Sequence, residues 1–373
     1  MKDNLKSGSS SIFSFFTGAG FLDLGFEDGG FEVVLANEFR AEFARGYEYA
    51  LAAMGRKSPK YGTHIGSIED FLGAAGKKKL LNQIKQERNA GRLVGFIGGP
   101  PCPDFSVGGK NRGESGDNGR LTRVYFDLIS ELKPDWFLFE NVRGLFRTLR
   151  HRAFFDEMRE QVRRSGYATS ERLINSIEYG AAQDRDRIIL IGGRSKLFGT
   201  KDALSVNWTA HTMFPRSVLA ELPWPDQGPF GGEARRLAGI PDQLTVNYWF
   251  RRNCVATHPN AAHCFVPRAG LKRFETVAEG DDTRKSYKRL HRYRYSPTAC
   301  YGNNEVHLHP TKARRISVAE ALALQSLPAS FALPTDMTLS DMFKTVGNGV
   351  PYLAARGLAN TINEVIKGVE PCV

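Results

Sequence analysis

Short runs of apolar residues alternate with stretches of helical period through the first half of the chain. Ile12–Phe16, Glu32–Ala36, Val94–Ile97, Trp136–Phe139 and Ile188–Ile191 read as strands buried on both faces. Between them, Glu42–Met54, Thr122–Lys133 and Arg152–Arg164 carry helical periodicity, the last stopped by Gly166. Strands that alternate with helices predict an α/β fold, a doubly wound, mostly parallel sheet covered on both faces. Ligands of such a sheet sit at the carboxyl ends of its strands.

The pattern changes after about Ser195. Pro215, Pro223, Pro225, Pro229 and Pro241, with Gly228, Gly231 and Gly232, interrupt any regular period. A smaller, irregular domain over 196–310 is expected, after a first domain over 1–195. Helical signals return over 311–373. Ser317-Val-Ala-Glu320 is a capping box that opens a helix to about Gln325, and Pro351 starts a last helix ending near Gly368.

Charge adds a partner to this outline. The chain has 373 residues and a net charge of +11, and the excess is uneven. From Arg251 to Arg315 there are 14 basic and 5 acidic residues. Arg284, Lys285, Lys288, Arg289, Arg292 and Arg294 fall in one acid-free run interleaved with Tyr287 and Tyr293. A charge run is often only a solvated face. One with aromatics and no amphipathic stripe suits a phosphate backbone better than a membrane. The polar start of the chain and the lack of a long apolar run predict a soluble, intracellular protein. The five cysteines form no C-x-x-C pair and do not read as a disulfide framework. Cys254, His258, His263 and Cys264 lie close together, but at none of the usual zinc spacings, so no metal is expected.

Candidate chemistry sits where the strands end. Phe16-Thr-Gly18-Ala-Gly20 follows the first strand, and its glycines let backbone approach a ligand. Asp23 stands at the third glycine of the dinucleotide fingerprint, so a nicotinamide enzyme is only one reading. Glu38, after the second strand, can accept hydrogen bonds from ribose hydroxyls, which favours a nucleoside cofactor over a structural turn. Gly98-Gly-Pro-Pro-Cys102 leads from a strand into a glycine-rich loop, a position that favours a nucleophilic thiol over an inert one. Glu140 closes another strand, either as a helix cap or as an acid for a base nitrogen. In Gln183-Asp-Arg185-Asp-Arg187, alternation sends Gln183, Arg185 and Arg187 to one face, to bind an anion or a nucleobase. Asp184 and Asp186 project the other way.

In this order the residues resemble the cytosine-5 DNA methyltransferase family over nearly the whole chain. Ser14 to Gly25 is similar to its cofactor-binding first motif, Asn37-Glu38-Phe39 to the ribose motif and Gly66-Ser67-Ile68 to the adenine motif. Pro100-Pro-Cys102 with Phe105-Ser106 resembles the nucleophile motif, and Glu140-Asn141-Val142 the catalytic glutamate motif. Gln183 to Arg187 resembles the paired-arginine motif, Arg315 to Pro328 a structural helix, and Gly347-Asn348-Gly349-Val350 the motif that completes the cofactor pocket.

The resemblance implies S-adenosylmethionine as cofactor, double-stranded DNA as substrate, and a monomer in the cytoplasm at the nucleoid, with a cognate restriction endonuclease in the same system as a candidate partner. It implies catalytic roles for Cys102, Glu140, Arg185 and Arg187. A cofactor pocket of Phe16, Gly18, Gly20, Glu38, Phe39, Ser67, Ile68, Pro101, Val124, Asn348 and Val350 also follows. DNA contacts are expected from Ser106, Arg284, Lys285, Lys288, Arg289 and Arg292, with sequence recognition in the irregular domain. Relatives that methylate tRNA and a silent DNA-binding homologue are the rival readings. The chain departs from the pattern at Ser14 and Ser67, where the family usually has Asp, at Pro103-Asp104, and at Gly349, where Ser is common.

Overall fold

The computed structural model describes residues 10–101, 117–146, 149–200, 203–266, 271–284, 286–299, 301 and 306–370. Its centre is a seven-stranded sheet in the order β3-β2-β1-β4-β5-β7-β6. The strands are β1 Ser11–Phe15, β2 Glu32–Glu38, β3 Thr63–Ile65, β4 Val94–Gly98, β5 Trp136–Val142, β6 Tyr167–Asn175 and β7 Asp186–Arg194. β1 to β5 pair in parallel, whereas β7 runs antiparallel to both β5 and β6. The chain order reverses between β1 and β4, which opens the usual ligand crevice at their carboxyl ends.

Helices cover both faces. On one, α3 (Ala74–Asn89), α4 (Asp117–Leu132) and α5 (Leu149–Arg164) pack Leu80, Ile84, Leu128 and Phe155 against Phe13, Phe96 and Phe139. On the other, α1 (Phe21–Asp28) and the final helix, α12 (Tyr352–Ile366), cover Ile12, Trp136, Leu138 and Ile189. α2 (Ala41–Ala53) flanks the β2 side. Each predicted strand and helix of this half is present, shifted by a few residues. Those without an apolar signal were missed: β3 is short, α3 is largely polar, and α1 is interrupted by Gly25. β6 is a half-exposed edge, and its free side is met by Leu204, Trp208 and Arg216, the last donating to the Leu173 carbonyl oxygen.

Beyond β7 come α6 (Ser195–Phe198), α7 (Arg216–Glu221), α8 (Val246–Arg252) and α9 (Leu271–Thr276), with only isolated bridges as β structure among the described residues. α10 (Val318–Leu324) starts at the predicted capping box, Ser317 with Glu320. Its Val318, Leu322 and Leu324 pack in one cluster with Val246, Trp249 and Leu290. α11 (Leu339–Asn348) joins the same cluster through Met342, Phe343 and Val346, while α12 packs on the sheet. Pro351 caps α12.

α1 and α12 touch nearly backbone to backbone. A Cβ on Gly25 would lie 2.4 Å from Ala355 Cβ and 2.7 Å from the Arg356 nitrogen, and one on Gly29 would lie 2.5 Å from Ala359 Cβ. Gly25→Ala is expected to destabilise the protein by about 1–3 kcal/mol, the usual cost of overpacking a rigid core. Urea unfolding measures it, and an unchanged midpoint would show that the seam relaxes freely.

Candidate active site

β5 and β7 bring the central pair together. Glu140 projects from near the end of β5, and Arg187 from the start of β7, two register positions away. The Arg187 Nε lies 2.7 Å from Glu140 Oε1, and both side chains are nearly buried. Such a charge-assisted contact holds a carboxylate in one orientation. Gly99 makes room for it, since a Cβ there would stand 2.6 Å from Glu140 Oε2. The neighbouring Asn141 donates from Nδ2 to the Pro100 carbonyl oxygen at 3.3 Å. The approach to the cysteine loop is thus tied to the glutamate strand. Cys102 and Ser106 lie outside the described residues, and Pro101, the last before them, is half-buried.

The other arginine has a different place. Arg185 is buried, and its guanidinium donates to the carbonyl oxygens of Ala299 at 3.0 Å and Gly347 at 2.8 Å. Gln183 is buried beside it and donates to Leu324 O. These two do not share a strand face with Arg187, because β7 begins only at Asp186. Alternation cannot be extended through a segment that is not a strand. Arg185 is a clamp between distant segments, and Arg187 alone of the pair reaches Glu140.

The glycine loop and the ends of β2 and β3 come together in a cradle. Phe16 takes a left-handed backbone, φ 58°, and packs towards Val124 and Tyr125. Gly18 and Gly20 are left-handed too, and a Cβ on Gly20 would strike the Tyr47 ring at 2.2 Å. Glu38 accepts from the backbone nitrogens of Gly18 and Arg40, each at 2.8 Å. Burial raises its pKa, against the pull of those N–H groups. Phe39 beyond it is 74% exposed, as is Ile65 at 53%, a residue that sequence reading passed over. Exposed apolar side chains beside a buried carboxylate suit a planar base and its ribose.

Other expected members do different work. Ser67 caps the turn Ile68–Phe71, accepting from the Glu69 nitrogen. Ile68 belongs to the core under α3 and α4, and Val350 to the core on the α12 side of the sheet. Asn348 is exposed at the end of α11. Asn37, noted only as part of a motif, donates to His64 O and Gly66 O and so fastens β3 to β2.

Residues 10–364 match the family described as C-5 cytosine-specific DNA methylase. The chain belongs to that family. It is 55% identical to the type II methyltransferase M.NmeDI of Neisseria meningitidis serogroup C over 95% of this chain and 84% of that protein. It is 28% identical to M.FnuDI of Fusobacterium nucleatum over 96% of both. Among solved structures, a prophage-encoded DNA modification methyltransferase of E. coli superposes with a TM-score of 0.63 at 20% identity, covering 96% of this chain and 99% of that one. The S. pombe Dnmt2 methyltransferase superposes at 0.60 with 11% identity, covering 96% and 98%. Both share the fold. The protein is therefore a DNA (cytosine-5) methyltransferase, and its described residues include no helix long and apolar enough to cross a membrane.

The basic run of this methyltransferase is only partly surface. Arg289 is buried, and its guanidinium donates to the carbonyl oxygens of Val277 (2.8 Å), His309 (2.5 Å), Lys312 (3.2 Å) and Phe274. It lies over the Phe230 ring, and burial lowers its pKa to about 10. Its expected DNA contact is thereby corrected: in a region almost without strands, a many-donor side chain satisfies carbonyls that a sheet would otherwise pair. Arg292 makes a two-pronged pair with Glu279, at 2.9 and 2.7 Å. Arg284 is exposed and Lys288 half-buried, while Lys285 lies outside the described residues. The Cys254 to Cys264 cluster is also structural. His258 Nε2 meets Phe331 O, His263 Nε2 meets Thr335 O, and Cys264 Sγ meets Arg315 O.

Under the glycine loop, Asp23 accepts from the Ser14 hydroxyl at 2.7 Å. This explains the serine at position 14, because a second carboxylate there would face the first. Burial raises the Asp23 pKa to about 7, opposed by the Ser14 hydrogen bond. A folded-state pKa above the unfolded value means that the native state holds the proton more tightly. The resulting stability is complete below the ordinary pKa of 3.8 and is lost as pH rises through about 7. Thermal melts at pH 6 and pH 8 are expected to show a decline in the wild type that is smaller in Asp23→Asn. Parallel declines would remove Asp23 as the cause.

Proposed function

We propose that this methyltransferase transfers a methyl group from S-adenosylmethionine to carbon 5 of cytosine within a specific double-stranded DNA sequence. The observation that carries the reading is the Glu140–Arg187 pair, tied through Gly99 and Asn141 to the residues leading into Cys102. The cradle suits the cofactor. Glu38 is placed for ribose hydroxyls, Phe39 and Ile65 for the adenine faces, and the Gly18–Gly20 loop for close backbone approach. When bound, S-adenosylmethionine supplies the methyl group.

The target atoms are stacked inside a duplex, so the cytosine must leave the helix, at a cost of a few kcal/mol. The Cys102 thiolate then forms a bond to carbon 6. The electron pair of the 5,6 double bond becomes available at carbon 5 as Glu140, held by Arg187, interacts with ring nitrogen 3 and the amino group. Carbon 5 accepts the methyl group, a base removes its proton, and the returning electron pair expels Cys102. Arg187 stands beside the base, whereas Arg185 supports the site from behind.

M.NmeDI and M.FnuDI are named as type II methyltransferases, which supports a place in a type II restriction–modification system with a cognate endonuclease. The irregular region from 196 carries target recognition in this reading, with Arg284, Lys285 and Lys288 on phosphates. Replacing these three with Ala is expected to lower the slope of DNA affinity against salt by about one unit per lost phosphate contact. Arg289→Ala is expected to lower the melting temperature instead. A salt slope that Arg284, Lys285 and Lys288 do not affect would make their run a solvated face.

The chemistry itself is tested with duplex DNA carrying 5-fluorocytosine at the target. After methyl transfer, carbon 5 has no proton to lose, so the adduct persists through denaturing electrophoresis. Cys102→Ala is expected to abolish the adduct, and Glu140→Gln to slow its formation by about 10²–10⁴-fold. An adduct that survives in Cys102→Ala would overturn the assignment of the nucleophile.

A further inference from the structure

The segment that ends α11 carries a glycine that its backbone does not require. Gly349 has φ −63° and ψ 149°, values open to any residue. Space is what demands glycine. A Cβ there would lie 2.1 Å from Phe21 Cδ2, 2.6 Å from Cε2 and 2.8 Å from Cγ. The clash reaches the root of the ring, and Phe21 cannot swing aside, because it is buried and set edge-on against Phe331 at 5.2 Å.

The two residues stand where the cofactor cradle is joined. Phe21 opens α1 directly after Gly20, the left-handed N-cap of that helix. Gly349 follows Asn348, and its nitrogen donates to Thr345 O at 3.1 Å. The buried Thr345 hydroxyl has no hydrogen-bond partner among the described residues and lies 3.8 Å from where a Cβ of Gly18 would be. On the far side, Arg185 holds Gly347 O and Gln325 Nε2 holds Val346 O at 2.5 Å. The 345–350 segment is thus pinned from behind, and its distance from the glycine loop is set by how closely Gly349 approaches the Phe21 ring.

We infer that Phe21 and Gly349 are a size-matched pair of positioning residues that fixes the spacing between the glycine loop and the 345–350 segment, and through it the affinity for the nucleoside cofactor. The inference rests on the cofactor reading above. Neither residue needs to touch the cofactor. A side chain at 349 pushes the two walls apart, and a smaller side chain at 21 lets it fit. The serine common at 349 in the family is therefore excluded here by the phenylalanine at 21.

Binding of S-adenosylhomocysteine, measured by calorimetry on the full chain, tests the pair. Gly349→Ser is expected to weaken binding roughly tenfold or more, as a rigid overpacked contact would. Phe21→Ala combined with Gly349→Ser is expected to bind more tightly than Gly349→Ser alone, recovering most of the loss. A merely structural contact would lower the melting temperature of each variant without this rescue of affinity. Unchanged affinity in Gly349→Ser overturns the inference, and so does a double variant that binds no better than the single one. Should Gly349→Ser fail to fold, the double variant decides: folded with near wild-type affinity supports the pair, and unfolded or weakly binding overturns it. A wild-type protein that does not bind S-adenosylhomocysteine sinks the cofactor reading itself, a different result from either.

Discussion

The buried guanidinium of Arg185 holds together parts of the chain that no secondary structure connects. It donates to Ala299 O and to Gly347 O, more than a hundred residues further along the sequence. Burying a cation is costly unless its donors are taken up, and the planar fork of arginine can serve several carbonyls at once. Through this contact the start of β7, the end of the irregular region and the end of α11 become one surface. Arg187, two residues on, is held in the β7 ladder between Val142 of β5 and Ile174 of β6. The Arg185 side chain also holds the 345–350 segment, through Gly347 O.

The proposed active site is built from neighbours at a sheet rim. β5 delivers Glu140, the antiparallel β7 delivers Arg187, and β4 delivers Gly99 and the prolines before Cys102. Parallel strands place their carboxyl ends together, so residues far apart in sequence meet without long loops. The reversal of β7 brings the start of that strand, not its end, to the same rim. A side chain at the start of β7 can therefore face one near the end of β5, and the ion pair forms across the register.

Outside the sheet, cations do the work of a scaffold. Arg289 gathers backbone carbonyls, Arg292 holds Glu279, and Arg314 holds Glu320 within the capping box of α10. A region with many prolines and glycines leaves carbonyls without ladder partners. Long side chains with several donors supply those partners from a distance. This is why a basic run overstates the charge offered to DNA: part of it is consumed inside.

The sequence by itself determined the alternating sheet half, the irregular stretch after Ser195, the capping box at Ser317, and the strand ends where Glu38 and Glu140 fall. Each rests on local chemistry, whether continuous apolar runs, cap pairs or glycine punctuation, and local chemistry is written along the chain. Ordered motifs also carried the family, because their residue types and spacing recur regardless of packing. What the tertiary structure decided was how side chains of one type divide their roles. Arg185 and Arg187 are indistinguishable in a Gln-Asp-Arg-Asp-Arg string, yet one is a clamp and the other faces Glu140. Arg284 and Arg289 sit in one basic run, yet one is exposed and the other buried. Gly349 looks like a mild variation until the Phe21 ring stands against it. Burial, partners and free volume arise from contacts between distant segments, and only the folded chain brings those segments together.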